Sequence, residues 1–216
     1  MSDKSVITLQ AYDGKATLDL FASYVSAAGY TAMAYVIPQQ IGQPGHASLD
    51  RLQVLNRADW DVSYHANKDH DLTALSADEL HRELKIKRDW LIRHGFARGS
   101  RHAAPYEFAV AAREYAALTA AGFLSIIGPN ATYTLSPNPA FTLVQQTASD
   151  NILWATVQAA ITTAVATPNT ILWLGFHDVV ADTPTGLDTT VDRLQKVLKA
   201  VNDSGLQVVT FSDMIP

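Results

Sequence analysis

Thr170-Ile171-Leu172-Trp173-Leu174-Gly175-Phe176-His177-Asp178 is the stretch that decides the fold. From Ile171 to Phe176 no polar side chain interrupts it, and it then stops at a histidine and an aspartate. A strand that is apolar on both faces is buried on both faces, as in a parallel sheet whose strands are joined by crossover helices. Strand parity places Trp173, Gly175 and His177 on one of those faces. The polar residues then stand at the strand's carboxyl end, where β/α folds gather their functional groups.

Two other segments end in the same way. An apolar run from Val6 leads into Ala11-Tyr12-Asp13-Gly14, and Trp60-Asp61-Val62 leads into Ser63-Tyr64-His65-Ala66-Asn67-Lys68-Asp69-His70-Asp71-Leu72. Strand-like runs are read over 6–12, 31–37, 60–65, 100–104, 123–127, 141–145, 170–177 and 207–211. Helix-like runs lie between them, over 18–28, 49–57, 77–94, 108–121, 152–166 and 188–202. Eight strands with interleaved helices predict an α/β fold with a closed or partly closed β/α barrel, and a doubly wound open sheet is the alternative. Ser76 and Glu79 have the spacing of a capping box, and Gly95 stands where that helix would end. Asn202-Asp203-Ser204-Gly205 closes the last helix similarly, and 128–139 reads as a long loop. The expected organisation is a single domain over 1–216.

With 216 residues and 48% apolar composition the chain can bury a large core. A formal charge of −5 with no basic stripe argues against a nucleic-acid partner. Having no cysteine, the chain has no disulfide and no thiolate metal ligand. No signal-peptide pattern is read near the amino terminus, and no apolar run approaches the ~20 residues that span a bilayer.

Together these segments resemble the polysaccharide deacetylases of the NodB-homology type, carbohydrate esterases built on a distorted β/α barrel. The likeness also takes in Tyr35-Val36-Ile37-Pro38, Ala104-Pro105-Tyr106 and Val208-Val209-Thr210-Phe211-Ser212, and so covers nearly the whole chain. In that family the first strand ends in two aspartates, a water-activating base and then a metal ligand. Here Tyr12-Asp13-Gly14 keeps the metal position and not the base position. The second motif supplies two histidines four apart. Here His65 matches the first, Asp69 stands at the second and His70 follows it. The resemblance thus implies a divalent ion held by Asp13, His65 and Asp69. Zinc is the first choice, and a site with two carboxylates should also tolerate manganese, magnesium or calcium.

The family's histidine that protonates the leaving amine falls on His177. Its third motif keeps Pro105 and Tyr106 here, but has alanine where an arginine orients the base. Base and orienting residue are therefore both absent, and Glu107 is a possible substitute carboxylate or simply a helix-start residue. Pro105, Tyr106 and Trp173 are the expected substrate-binding residues. Trp60, Trp154, Tyr64 and Tyr133 are further aromatic candidates for stacking on sugars, although most such residues are core. Read without the family, Asp13 is equally a turn residue, Asp69 a loop cap and His65 a hydrogen-bonded core histidine.

The reading is a metal-dependent hydrolase that removes acetyl groups from a surface polysaccharide or oligosaccharide. Two alternatives stay open: a non-catalytic carbohydrate-binding domain, and a lyase or depolymerase in which Tyr12 and His177 act as base and acid. An unperturbed tyrosine titrates near ~10, too high for a good base at neutral pH. Such a domain would suit an extracellular or virion-associated setting, as a module of a larger surface or phage-tail protein.

Overall fold

A computed structural model describes residues 4–66, 72–128 and 134–215. Asp69, His70 and Tyr133 lie outside those residues. Seven strands form one curved sheet in the order β5-β4-β3-β2-β1-β7-β6. They are β1 (Val6–Ala11), β2 (Met33–Val36), β3 (Asp61–His65), β4 (His102–Ala104), β5 (Ser125–Ile126), β6 (Thr142–Thr147) and β7 (Thr170–Phe176). An eighth strand of this sheet, β10 (Gln207–Val208), also pairs with β1, and every pairing is parallel. A small separate ladder joins β8 (Val179–Val180) to β9 (Thr189–Thr190).

The edge of β1 explains the short last strand. β7 runs along one side of β1 from Val6 to Ala11. The other side is shared: β2 takes Gln10 and Ala11, and β10 takes Val6 and Ile7. The expected strand over 207–211 therefore stops at Val208, and the chain turns under the barrel.

Helices α1 (Leu18–Ala27), α2 (Leu49–Arg57), α3 (Ala77–Arg93), α4 (Ala112–Ala120), α5 (Trp154–Ala166) and α6 (Val191–Ser204) join the strands. The Ser76 and Glu79 side chains form the expected capping box at the start of α3. Gly205 ends α6 with a φ of 67°, a left-handed conformation that costs glycine little. In α6, Leu194, Val197, Leu198 and Val201 are buried, the helical spacing of a stripe facing the sheet. Each such side chain contributes about 1.5–3 kcal/mol on burial.

Alternate residues of the strands serve two different cores. Ile7, Leu9, Ala34, Val36, Val62, Tyr64, Ala103, Leu172, Leu174 and Phe176 pack with residues of all six helices. Val6, Tyr12, Met33, Tyr35, Ala104, Ile171 and Trp173 pack with Val209, Phe211 and Met214 in a separate cluster that contains no residue of α1–α6. Helices on one face and a lumen on the other define a partly closed, distorted β/α barrel. A doubly wound sheet would carry helices on both faces. Gly99 marks the closest approach of the chain to the barrel wall: an added Cβ would lie 2.0 Å from the Val62 carbonyl oxygen.

A part-buried ionic clasp holds the carboxyl-terminal segment beneath the barrel. Asp61, fully buried at the start of β3, accepts hydrogen bonds from the Ser212 amide at 2.9 Å and from Arg98 Nε at 3.3 Å. Arg98 also reaches Thr210 at 3.1 Å and Asp213 at 2.8 Å. His102 bonds Ser125 at 2.8 Å and Ser212 at 3.0 Å, with Asp61 at 3.6 Å.

Candidate active site

The carboxyl ends of β1, β3, β4 and β7 meet at one mouth. Beyond Ala11 the ladder continues for one residue, the Tyr12 amide donating to the Phe176 carbonyl at 2.9 Å. Asp13 and Gly14 then turn with φ values of 68° and 60°. Aspartate tolerates this left-handed region, and Gly14 is needed because its Cβ position lies only 3.0 Å from Val36.

The turn sets the Asp13 carboxylate between two imidazoles. Its Oδ1 lies 3.3 Å from His65 Nε2, and its Oδ2 lies 3.4 Å from His177 Nδ1. Burial alone would raise the Asp13 carboxyl, but hydrogen bonds with His177 and His65 outweigh it. The group is held well below the usual carboxylate range.

His65 is oriented by its other nitrogen. Nδ1 lies 2.6 Å from the Ala104 carbonyl, which can only accept, so Nδ1 carries the proton. Nε2 therefore donates to Asp13 only when the ring is protonated; in the neutral ring it presents its lone pair there, the tautomer that a metal ligand requires. The 3.3 Å separation is long for a charge-assisted hydrogen bond, typically ~2.7–2.9 Å. It matches the distance of about 3.3 Å between two ligands each ~2.0–2.1 Å from a tetrahedral ion. Asp13 and His65 therefore fit as a metal-binding pair. Among the described residues no group of three or more histidine or acidic side chains is arranged to hold an ion.

The loops carrying Asp13 and His177 are tied together one step further out. Asp178 accepts from Lys15 at 2.5 Å and from Thr17 at 2.6 Å. A strand-end histidine next to an aspartate suggests that the two are paired. Instead Asp178 anchors the β1 loop, and His177 turns to Asp13. No hydrogen bond engages His177 Nε2 among the described residues, and the side chain is partly exposed.

Tyr12 is placed differently from its expected role in proton transfer. Its ring stacks on Tyr35 with centroids 5.4 Å apart and planes 3° from parallel. His65, His177 and Trp173 surround it at 5.5, 5.4 and 5.7 Å. The hydroxyl points into the lumen and donates to Gln10 Oε1 at 2.8 Å. Burial, aided by Tyr35 and Asp13, pushes the phenol well above its ordinary value. Neither position nor acidity suits Tyr12 to neutral-pH proton transfer. The ring fits because residue 175 is glycine, whose Cβ position is 3.1 Å from Tyr12 Cε2.

Of the expected substrate contacts, Pro105 is buried and Tyr106 is half-buried. Trp173 is only 3% exposed and offers no ring face to a sugar. Trp60 and Tyr64 are fully buried, and Trp154 packs beneath Arg193 and Lys196 away from the lumen cluster. Glu107 does not start a helix: it and Phe108 are left-handed, with φ of 48° and 57°, and α4 begins only at Ala112. The turn brings in a residue that sequence periodicity does not mark. Phe108 stands edge-on to Trp173 at 5.3 Å and to Tyr12 at 6.3 Å, lining the mouth.

Comparisons with solved structures assign the architecture. A family 4 acetyl xylan esterase from Clostridium thermocellum, solved with a cobalt ion, matches with a TM-score of 0.65 and 13% identity, over 99% of this chain and 93% of that chain. A family 4 pseudoenzyme from Bacillus anthracis matches with a TM-score of 0.62 and 13% identity, over 99% and 66% of the two chains. A mutant of that pseudoenzyme with restored enzymatic activity matches at 0.61 and 12%, over 99% and 68%. The chain has the fold of the family 4 carbohydrate esterases. No protein-family model matches it, and no curated protein does.

Proposed function

We propose that the chain is a metal-dependent hydrolase that removes acetyl groups from a surface polysaccharide. The observation that carries this reading is the Asp13 carboxylate set between His65 and His177 at the barrel mouth. Asp13 and His65 would hold a divalent ion, with Asp69 as the third ligand that the sequence supplies. Zinc suits the imidazole, and the two carboxylates would admit manganese, magnesium or calcium. An ion held there would supply Lewis acidity toward an acyl carbonyl and toward water.

The chain's own residues supply the rest. The Asp13 oxygen that faces His177 accepts from Nδ1–H and fixes the tautomer, leaving the Nε2 lone pair toward the mouth. His177 takes the proton of the attacking water at Nε2 and returns it to the leaving amine or alcohol oxygen, so one imidazole serves both halves of the reaction. Phe108 walls the approach beside Tyr12 and Trp173. Tyr12 serves as a buried floor. Its inward hydroxyl gives no support to a lyase that uses Tyr12 as acid or base.

One observation favours a second reading. An aromatic plug occupies the place where the family keeps its water-activating carboxylate, and this suits a module that binds acetylated glycan without turning it over. Acetate release from an acetylated oligosaccharide, measured beside zinc binding by calorimetry, separates the two. His177→Ala is expected to reduce release by ~10²–10⁴-fold while zinc binding persists. Undiminished release in that variant would remove His177 from the mechanism. A wild type that binds the glycan and releases nothing would establish the second reading.

A further inference from the structure

Four buried polar groups that face the barrel lumen lack a hydrogen-bond partner among the described residues: Thr8 Oγ1, Tyr35 OH, Ser63 Oγ and Trp173 Nε1. Thr8, Tyr35 and Ser63 are fully buried, and Trp173 is 3% exposed. They come from four strands, and the sheet register sets them in two neighbouring pairs. Thr8 on β1 lies beside Trp173 on β7, and Tyr35 on β2 lies beside Ser63 on β3. Gln10 stands between the pairs, its oxygen taken by Tyr12 and its amide nitrogen directed only at the Met33 sulfur, 3.6 Å away. Ser125 is close enough to Tyr35, and Tyr12 to Trp173, to bias their ionisation, without adequate hydrogen-bond geometry.

Leaving such groups unsatisfied forfeits their hydration with nothing in return, so four in one lumen is a large penalty. The four groups open on one lumen lined by adjacent parallel strands, ~4.8 Å apart, so they offer an internal water several polar partners. Apolar cavities stay dry, but a lining that offers two to four polar partners holds water. Buried apolar residues pack at both ends of the lumen. Tyr12, Phe108 and Trp173 cover it below the mouth, and Val6, Phe141, Val209 and Met214 are packed together at its base.

We infer that the lumen beneath Tyr12 is a binding site for ordered internal water, held by Thr8 Oγ1, Trp173 Nε1, Tyr35 OH and Ser63 Oγ. The water is part of the folded structure and is separated from the mouth by the aromatic layer. This site is independent of whether the mouth is catalytic.

The sign of a melting-temperature shift tests it. If the hydroxyls were unsatisfied, their removal by near-isosteric apolar residues would relieve a penalty and raise the melting temperature. If they hold water, removal strands a buried water and lowers it. Thr8→Val, Tyr35→Phe and Ser63→Ala are each expected to lower the melting temperature by about 1–4 °C. An unchanged or raised value in both Thr8→Val and Tyr35→Phe would overturn the inference. A crystal structure of the unsubstituted chain is expected to show ordered solvent within ~2.7–3.2 Å of at least two of the four atoms. A lumen without such peaks, in a map that shows ordered surface waters, would overturn it as well, even if a variant failed to fold.

Discussion

Position 12 shows how much one side chain changes in this fold. A carboxylate there would face the mouth, but the phenol lies flat on Tyr35 and sends its hydroxyl down to Gln10. The geometry depends on Gly175, whose missing Cβ leaves the ring its place. Gly175→Ala should therefore force a shift of Tyr12 or Trp173 and destabilise the chain by about 1–3 kcal/mol. In a Tyr12→Ala background the same change should cost much less, since the ring it strikes is gone. Denaturant unfolding of the four proteins measures the coupling. Additive losses would mean that Gly175 matters for another reason. Asp13, His65 and His177 were legible in the sequence because each ends an apolar run, so barrel geometry sends all three to one mouth. The direction of the Tyr12 hydroxyl was not, because parity fixes the face of a side chain and leaves its outer end free. Phe108 was hidden for a different reason: a left-handed phenylalanine has no pattern that announces it.

At the scale of elements, most starts and stops follow local chemistry. The capping box of Ser76 and Glu79 and the left-handed Gly205 were readable because their causes lie within a few residues. The shortness of β10 was not readable, because it results from competition with β2 for one edge of β1. Nor was the clasp of Asp61, Arg98, His102 and Asp213, whose members come from distant segments. The clasp has a pH signature. Burial pushes His102 down to about 4, although Asp61 opposes the shift. An unfolded histidine titrates near ~6.5. Between these values the unfolded chain binds the extra proton and the folded chain does not. The His102 contribution is thus complete above about pH 6.5 and is lost as pH falls toward 4, an effect of about 3 kcal/mol. Unfolding free energies at pH 7 and pH 4.5 should differ more for the wild type than for His102→Gln. Equal losses would show that acid acts elsewhere.

For the whole molecule, the alternation of strand residues between a helix-facing core and a lumen-facing core joins fold to function. The same inward positions carry a polar lumen below, an aromatic layer at Tyr12 and an ionisable group at the mouth. The architecture that carries these layers is the fold of the family 4 carbohydrate esterases, matched at 12–13% identity. On the proposed function this mouth hydrolyses acetyl groups with a metal held at Asp13 and His65. The most direct measurement is acetate release from an acetylated polysaccharide by the wild type, first stripped with a chelator and then resupplied with zinc. Release should disappear with the metal and return with it, and should stay ~10²–10⁴-fold lower in a resupplied His177→Ala variant. Release that ignores the metal, or no release under any divalent ion, would contradict it.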